Sequence, residues 1–246
     1  MVLSATILVA GVYVLANLGY HSYTMALVND ANAQVVEPPA KVSIAVCCWA
    51  EDSDIMVQCL QSIKSNNIYQ QYPTDFELIV IGCQNVDMDI AKQYADKTDC
   101  VQGKLSGRNR GVQMASGDII VSLDCDAVIG PNFLNMLLQP FKDPNVVAVG
   151  TSSVQDTAPM MSALFRIASD IQSSEKLLGR SSAFRKSAFE AIGGFDDNFD
   201  QNDITELWHR EEFFFPQSLS QFGKIVFLPI ASVHLSGYGE GRGLRA

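Results

Sequence analysis

The chain has 246 residues, of which 48% are hydrophobic and 18% charged, so it can bury a substantial core. Its formal net charge of -10 argues against binding of nucleic acid through bulk charge, because neutralising phosphates requires clustered Lys and Arg. Anionic ligands stay compatible with this composition where the basic residues are local or a metal ion mediates.

The first segment of the chain is apolar and carries no charged residue from Met1 to Asn29. A helix of about 20 apolar residues is long enough to span a bilayer. We expect residues 1–22 to form a membrane anchor, with a cleaved signal peptide or a buried core helix as the alternatives. Residues 23–40 are predicted to be a linker, because they include the polar stretch NDANAQVVEPPA with two prolines.

None of the six cysteines shows the C-x-x-C spacing of a zinc or redox site. Several of them lie in apolar runs, where a cysteine behaves as a small hydrophobic residue. We therefore expect reduced thiols. Together with the predicted anchor, this predicts a single-pass membrane protein whose main domain faces the cytosol. The six are Cys47, Cys48, Cys59, Cys83, Cys100 and Cys125.

After residue 41, strand-like and helix-like segments alternate, which predicts an α/β domain with a mostly parallel sheet flanked by helices. Ligands of such sheets bind outside the carboxyl ends of the strands. The predicted ends at Trp49–Glu51, Gly82–Asn85 and Asp124–Asp126 should therefore gather along one edge. The predicted strands are 41–49, 76–83, 117–126, 145–153 and 224–235, and the predicted helices are 52–67, 87–98 and 107–116.

The stretch VSLDCDAVIG, residues 121–130, places Asp124 and Asp126 two positions apart at the exit of a predicted strand. Residues two apart in a strand project to the same side, so the two carboxylates lie together. They repel each other unless a cation neutralises them, and Mg²⁺ or Mn²⁺ prefers such oxygen ligands. An ordinary acidic turn explains the motif as well, so by itself it leaves both interpretations open.

The wider context of this motif resembles the family 2 glycosyltransferases, whose usual pattern is close to ARNxGxxxAxGxxIxFLDxDxxxxPxxL. A second segment, SSAFRKSAFEAIGGFDDNF at 181–199, is similar to the family's RRxAxxxxGGFDE segment. The likeness extends over roughly residues 41–237. The residues in register with the first pattern are Arg108, Asn109, Gly111, Ala115, Gly117, Leu123, Asp124, Asp126 and Pro131.

The resemblance implies a GT-A fold over residues 41–246, with a nucleotide-binding half at 41–126 and an acceptor-binding half at 127–246. It implies a nucleotide-sugar donor, a Mn²⁺ or Mg²⁺ cofactor, and a glycan, lipid or protein acceptor. By the same resemblance, Asp124 would lie near the ribose and the metal, Asp126 would bind the metal, and Arg108 would sit by the donor's phosphates or base.

The catalytic base and a further metal ligand are sought near the end of the chain. Family members carry a Glu-Asp pair that opens a helix, a Gly about three turns later, and then a strand ending in His. Residues 209–235 match this layout with a Glu-Glu pair, which makes His234 a candidate metal ligand. Counting back from Gly223 puts Glu212 at the position of the base, preceded by Glu211, with Asp203 as the rival.

Two departures from the family pattern concern the nucleotide. Relatives end the second strand in Asp-Asp-x-Ser, whereas this chain has GCQN, so that Gln84 or Asn85 would have to hydrogen-bond the base. The first motif is Cys-Trp-Ala-Glu, which keeps only Glu51 in register and adds Trp49 as a candidate contact. The processive members' Gln-x-x-Arg-Trp motif is absent from the sequence, which predicts transfer of one sugar per encounter.

Together these features predict an inverting, metal-dependent, non-processive glycosyltransferase. Two alternatives stay open at this point. One is a nucleotidyltransferase on a similar fold, although a Gly-rich loop after the first strand is missing. The other is a catalytically inactive, membrane-tethered protein that binds a nucleotide sugar.

Overall fold

The computed structural model describes residues 19, 22–49, 52–82, 86–155, 181–199 and 214–235. Within these residues, one sheet of eight strands has the order β3-β2-β1-β4-β7-β6-β8-β5. The strands are β1 Val42–Cys48, β2 Phe76–Gly82, β3 Lys97–Cys100, β4 Ile119–Asp124, β5 Ala127–Val128, β6 Val146–Gln155, β7 Ser181–Arg185 and β8 Lys224–His234.

The helices flank this sheet. They are α1 at residues 22–28, α2 Ser53–Lys64, α3 Asn67–Gln71, α4 Met88–Tyr94, α5 Lys104–Met114, α6 Phe133–Leu138, α7 Lys186–Ala191 and α8 Phe215–Leu219. Short 3₁₀ turns lie at Pro73–Asp75, Gln139–Lys142 and Asp197–Phe199.

The first half of the sheet is parallel, and its inner strands β1 and β2 are buried on both faces. Strands β3, β2, β1 and β4 run parallel, and every residue of β1 and β2 is buried. Alternate residues of β1 face opposite layers, as strand geometry requires. Ile44 packs in the core formed with α2, whereas Ala45 packs in the core formed with α5. Continuous apolar runs in the sequence reflect this burial on two faces.

The second half of the sheet is mixed, so the prediction of a mostly parallel sheet is wrong there. Strand β7 runs antiparallel to both of its neighbours, β4 and β6, and β5 runs antiparallel to β8. Only β6 and β8 are parallel in this half. Strand β7 is short and has the sequence SSAFR. Such a sequence does not indicate whether the strand runs parallel or antiparallel to its neighbours.

The predicted helix at 87–98 is too long. Helix α4 ends at Tyr94, and the chain then forms β3 at the edge of the sheet. Asp96 directs this change, because its backbone N–H donates to the Leu78 carbonyl at 2.8 Å and its carboxylate accepts from the Leu78 N–H at 2.7 Å.

A buried acid ties together the amino ends of the parallel strands, at the edge opposite the predicted site. Burial alone would raise the pKa of Glu77, but hydrogen bonds from Lys97, Ser116 and Ser43 outweigh it and lower the pKa to about 2. The Ser43 hydroxyl also accepts from the Gly117 N–H at 2.8 Å. This network fixes the turn that leads from α5 into β4.

The segment predicted as a linker contacts the domain. Side-chain amides hold its backbone: Asn132 donates to the Leu27 carbonyl at 3.0 Å, and Asn135 donates to the Gln34 carbonyl at 3.1 Å. Val28 is fully buried in the core. The described residues contain no helix with the length and apolar character needed to cross a membrane, and most of the predicted anchor, 1–22, lies outside them.

The expectation of reduced thiols is wrong for one pair, because Cys48 and Cys125 form a disulfide. The two residues lie at the ends of the neighbouring parallel strands β1 and β4, with their Cα atoms 4.8 Å apart. The Cys125 N–H also donates to the Cys47 carbonyl at 3.1 Å. Strand pairing therefore brings together two cysteines that are 77 positions apart in the chain.

Candidate active site

The carboxyl ends of the parallel strands lie side by side, as predicted. In the strand register, Cys48 lies beside Gly82, and Cys47 lies beside Asp124. Trp49 follows β1 directly and is half-buried. Three predicted nucleotide-binding residues, Glu51, Gln84 and Asn85, fall outside the described residues, and their roles stay predictions.

Arg108 and Asp124 form a buried ion pair at this edge. One guanidinium nitrogen of Arg108 donates to Asp124 Oδ1 at 2.6 Å, and the other donates to Ser122 Oγ at 2.6 Å. The Arg108 side chain is 2% exposed and that of Asp124 is 14% exposed. The bond to Ser122 holds the rigid guanidinium fork in place, and the bond to Asp124 then orients that carboxylate.

Helix α5 places Arg108 close to the sheet because Gly111 allows a tight approach. A Cβ at Gly111 would lie 3.0 Å from the Ala45 Cβ of β1. One turn before Arg108, Lys104 lies 3.5 Å from Asp124 Oδ2, so two cations of one helix face the same carboxylate. The sequence interpretation missed Lys104 because the predicted helix began at 107, whereas α5 begins at Lys104 and places it on the same face as Arg108.

Arg110, two residues after Arg108 on α5, points elsewhere. Its Nε donates to Asp99 Oδ2 at 2.6 Å, in a half-exposed pair. This hydrogen bond is the main reason why the pKa of Asp99 is lowered. The two arginines thus differ in environment, because only Arg108 is turned under the end of β4.

Asp126 and His234 form the second pair of the site, although 108 positions separate them in the chain. His234 Nδ1 lies 2.9 Å from Asp126 Oδ1. The pairing of β5 with β8 sets this distance, since Ala127 is in register with His234 and the Leu235 N–H donates to the Asp126 carbonyl at 3.0 Å. The imidazole is almost fully buried, whereas the carboxylate is 31% exposed.

The residues of this second pair fit a divalent cation. Carboxylate oxygen and imidazole nitrogen suit Mn²⁺. Two neighbouring ligands of an octahedral ion at about 2.1 Å would lie about 3.0 Å apart, close to the 2.9 Å between Asp126 Oδ1 and His234 Nδ1. The described residues contain no cluster of three acidic, Cys or His groups, so the predicted set Asp124, Asp126 and His234 is not assembled as a triad.

The two family-like segments of the sequence are in contact. Asn109 of α5 donates through Nδ2 to the Phe195 carbonyl and accepts through Oδ1 from the Phe195 N–H, both at 2.9 Å. The preceding glycines adopt positive φ angles, 83° at Gly193 and 80° at Gly194, that other residues rarely adopt. The GGF turn is therefore fixed against the helix that supplies Arg108.

The residues predicted for proton transfer, Glu211 and Glu212, and the rival Asp203 lie outside the described residues. The described chain resumes at Phe214 and forms α8 from Phe215, before β8 leads to His234. The order of helix, glycine and strand agrees with the layout predicted for 209–235. The assignment of the base itself stays a prediction.

Comparisons with known proteins agree with this architecture. The mannosyltransferase PcManGT from Pyrobaculum calidifontis, solved in complex with GDP-Man and Mn²⁺, superposes with a TM-score of 0.61 at 17% identity, covering 98% of this chain and 70% of its own. S. aureus TarS, solved with UDP-GlcNAc, gives a TM-score of 0.61 at 14% identity, covering 81% of this chain and 60% of that one. At these identities the likeness establishes the fold alone, which is of the GT-A type.

Sequence comparison extends the likeness to the family level. A curated relative, the glucosyl-dolichyl phosphate glucuronosyltransferase of Haloferax volcanii, is 22% identical over 180 residues, which is 64% of this chain. The match spans 56% of the relative's length. The model of the family described as "Glycosyltransferase like family 2" matches residues 38–210. This match covers more than half of the chain and confirms the resemblance predicted from the motifs: the chain belongs to the glycosyltransferase-like family 2.

Proposed function

We propose that the protein transfers a sugar from a nucleotide sugar to an acceptor hydroxyl, with a divalent cation at Asp126 and His234. The observation that carries this proposal is the 2.9 Å pairing of these two side chains at the carboxyl edge of the sheet, beside the Arg108–Asp124 ion pair. Membership of the glycosyltransferase-like family 2 supports the proposal. Two structural neighbours of the same fold support it as well, since both were solved with nucleotide sugars and one of them also with Mn²⁺.

Asp126 and His234 would hold the cation, which supplies neutralisation of the negative charge on the departing diphosphate. Only two protein ligands are described, which leaves positions for diphosphate oxygens and water, as is usual for Mg²⁺-type sites. Asp126 is the more exposed of the pair, so it can face the donor while the buried imidazole stays in place.

Asp124 has a different role in this proposal. Arg108 and Lys104 compensate its charge and fix its direction, so its carboxylate is preorganised before the donor arrives. The resemblance places such a residue near the ribose. Arg108 would then contribute to binding of the nucleotide by holding Asp124 in place, in addition to any direct contact between Arg108 and the donor.

The reaction would be a single displacement with inversion at the anomeric carbon. A carboxylate, predicted to be that of Glu212, would take the proton of the acceptor hydroxyl as this oxygen attacks. The acceptor would be a glycan, a lipid or a protein, and one sugar would be transferred per encounter. Both the base and the acceptor class are proposals that derive from the sequence.

The variant Asp126→Asn tests the proposal, with Asp118→Asn as the matched control. Asp118 is exposed and lies just before β4, at the opposite edge of the sheet. Thermal unfolding is measured with UDP, GDP, UDP-GlcNAc and GDP-mannose, each with and without Mn²⁺, since a ligand of the folded state raises the unfolding temperature. Release of UDP or GDP from the two sugar nucleotides then measures turnover.

We expect stabilisation by at least one nucleotide that depends on Mn²⁺ in the wild type and in Asp118→Asn, and its loss in Asp126→Asn. Turnover should fall by on the order of 100-fold or more, because outer partners of metal ligands alone are worth 10–100-fold. Undiminished turnover in Asp126→Asn would refute the metal assignment. Binding without turnover under any condition would support a binding protein instead of an enzyme.

A further inference from the structure

The buried side of the His234 ring faces two serines rather than water. His234 Nε2 lies 3.1 Å from Ser232 Oγ, and Ser232 Oγ lies 2.7 Å from Ser181 Oγ. The side chain of His234 is 2% exposed, Ser232 is fully buried and Ser181 is 1% exposed. Because bulk water does not reach Nε2, the serine hydroxyl is its hydrogen-bonding partner on that side.

The local fold explains why Ser232 reaches the ring. Ser232 and His234 are two apart in β8, so their side chains project to the same side of the sheet. Ser181 starts β7, and its carbonyl accepts from the Thr151 hydroxyl at 2.7 Å. The serine pair is therefore anchored in three strands of the sheet.

The hydrogen bonds have a defined direction when the ring is neutral. An ionised carboxylate only accepts, so the 2.9 Å contact with Asp126 requires the proton on Nδ1. Nε2 is then an acceptor, and the Ser232 hydroxyl must donate to it. The second lone pair of Ser232 is left to accept from the Ser181 hydroxyl.

Binding of a cation through Nδ1 demands the opposite arrangement, in which the proton sits on Nε2. A hydroxyl can rotate and either donate or accept, so Ser232 can then accept from Nε2–H and donate to Ser181. One proton moves from Nδ1 to Nε2, and the net charge of the ring does not change. An ionised carboxylate at this position could only accept, so it would favour only the state with the proton on Nε2.

We propose that Ser232, backed by Ser181, is a positioning residue that keeps His234 Nδ1 directed at Asp126 in both proton arrangements of the ring. The inference rests on the proposed metal role of Asp126 and His234. It assigns a share in the affinity for the cation to two buried serines, Ser181 and Ser232, that lie outside the Asp124–Asp126 stretch.

The test uses the full chain and three variants. Ser232→Ala removes the hydroxyl, and Ser232→Thr restores it on a side chain that suits a strand. Ser152→Ala is the matched control, since Ser152 is equally buried in β6 but is in register with Ala231 instead of Ser232. Binding of Mn²⁺ alone is measured by electron paramagnetic resonance. The ring nitrogens of His234 are observed by ¹⁵N NMR in the metal-free protein, and their resonances are assigned as those that disappear in His234→Gln.

We expect Ser232→Ala to weaken Mn²⁺ binding about tenfold, the low end for the outer partner of a metal ligand. Its Nε2 resonance should move towards that of a nitrogen that accepts no hydrogen bond. Ser232→Thr and Ser152→Ala should behave as the wild type in both measurements.

Wild-type Mn²⁺ affinity in Ser232→Ala, or an equal loss in Ser152→Ala, would overturn the inference and leave the proposed function standing. Failure of the wild type to bind Mn²⁺ would instead contradict the proposed metal site. In that case the NMR measurement still decides whether the serine holds the ring, because an unchanged Nε2 resonance in Ser232→Ala would refute it.

Discussion

Replacement of Arg108 by Met should destabilise the protein by about 3 kcal/mol. Loss of one partner of a buried ion pair costs about 3–5 kcal/mol, because the other charge is left uncompensated. Two observations favour the low end here: the Asp124 side chain keeps 14% of its surface exposed, and Lys104 lies 3.5 Å from its other oxygen. In a domain of this size, the loss lowers the unfolding temperature by roughly 6–12 °C.

Arg110→Met provides the matched control, two positions along the same helix. It removes a half-exposed pair with Asp99, and such pairs contribute about 0–1 kcal/mol. Urea unfolding followed by circular dichroism gives the free energies, provided that the dependence on urea is the same in all variants. The double variant Arg108→Met with Asp124→Asn should recover part of the loss, since it removes the uncompensated charge as well.

Equal effects of the two arginine substitutions would refute this reasoning. So would strict additivity of Arg108→Met and Asp124→Asn, because groups in direct contact should show a coupling of at least about 1 kcal/mol. Either result would mean that Arg108 does not hold Asp124 in solution.

Two further predictions concern the rest of the sheet. The pKa of Glu77 is about 2 in the folded state, and its ordinary value is 4.5. Roughly 3 kcal/mol of stability is therefore present above pH 4.5 and is lost as the pH falls towards 2. Glu77→Gln should flatten the dependence of the unfolding free energy on pH in this range, and an unchanged dependence would contradict the network with Lys97. Cys48 and Cys125 should resist alkylation in denaturant until a reductant is added, and immediate alkylation of both would refute the disulfide. Reduction of the disulfide should lower the free energy of unfolding by about 2–4 kcal/mol.

The sequence predicted the elements that have a clear local pattern, and it predicted which residues lie at the carboxyl ends of the parallel strands. The apolar runs predicted β1, β2, β4, β6 and β8 within a few residues. Parallel pairing then brought the polar ends of three strands to one edge, which is why Asp124 and its surroundings could be anticipated. The Asp126–His234 pair was predicted only through the family resemblance, since nothing local relates residues 108 positions apart.

Features that depend on strand direction or lateral order could not be predicted in this way. The disulfide needs β1 and β4 to be neighbours, and the spacing of Cys48 and Cys125 carries no such information. The antiparallel entry of β7 likewise has no signal in its five residues. Lys104 was missed because the predicted helix begins at 107, whereas α5 begins at Lys104 and brings it one turn before Arg108. The contact of Ser232 with Ser181 depends on the order of β7, β6 and β8 in the sheet, which the sequence does not indicate.

The asparagine contacts with residues 27–36 have a practical consequence for where the smallest autonomous folding unit begins. The family match starts at residue 38, and the first strand starts at Val42. In a fragment that starts at either point, the side-chain amides of Asn132 and Asn135 would lose their backbone hydrogen-bond acceptors. The part of the core against which Val28 packs, beside Gly130, would become exposed. Gly130 lies four residues after Asp126, so an N-terminal truncation would also loosen the loop that carries Asp126. The folding unit therefore includes residues 27–36 and does not begin at the first strand.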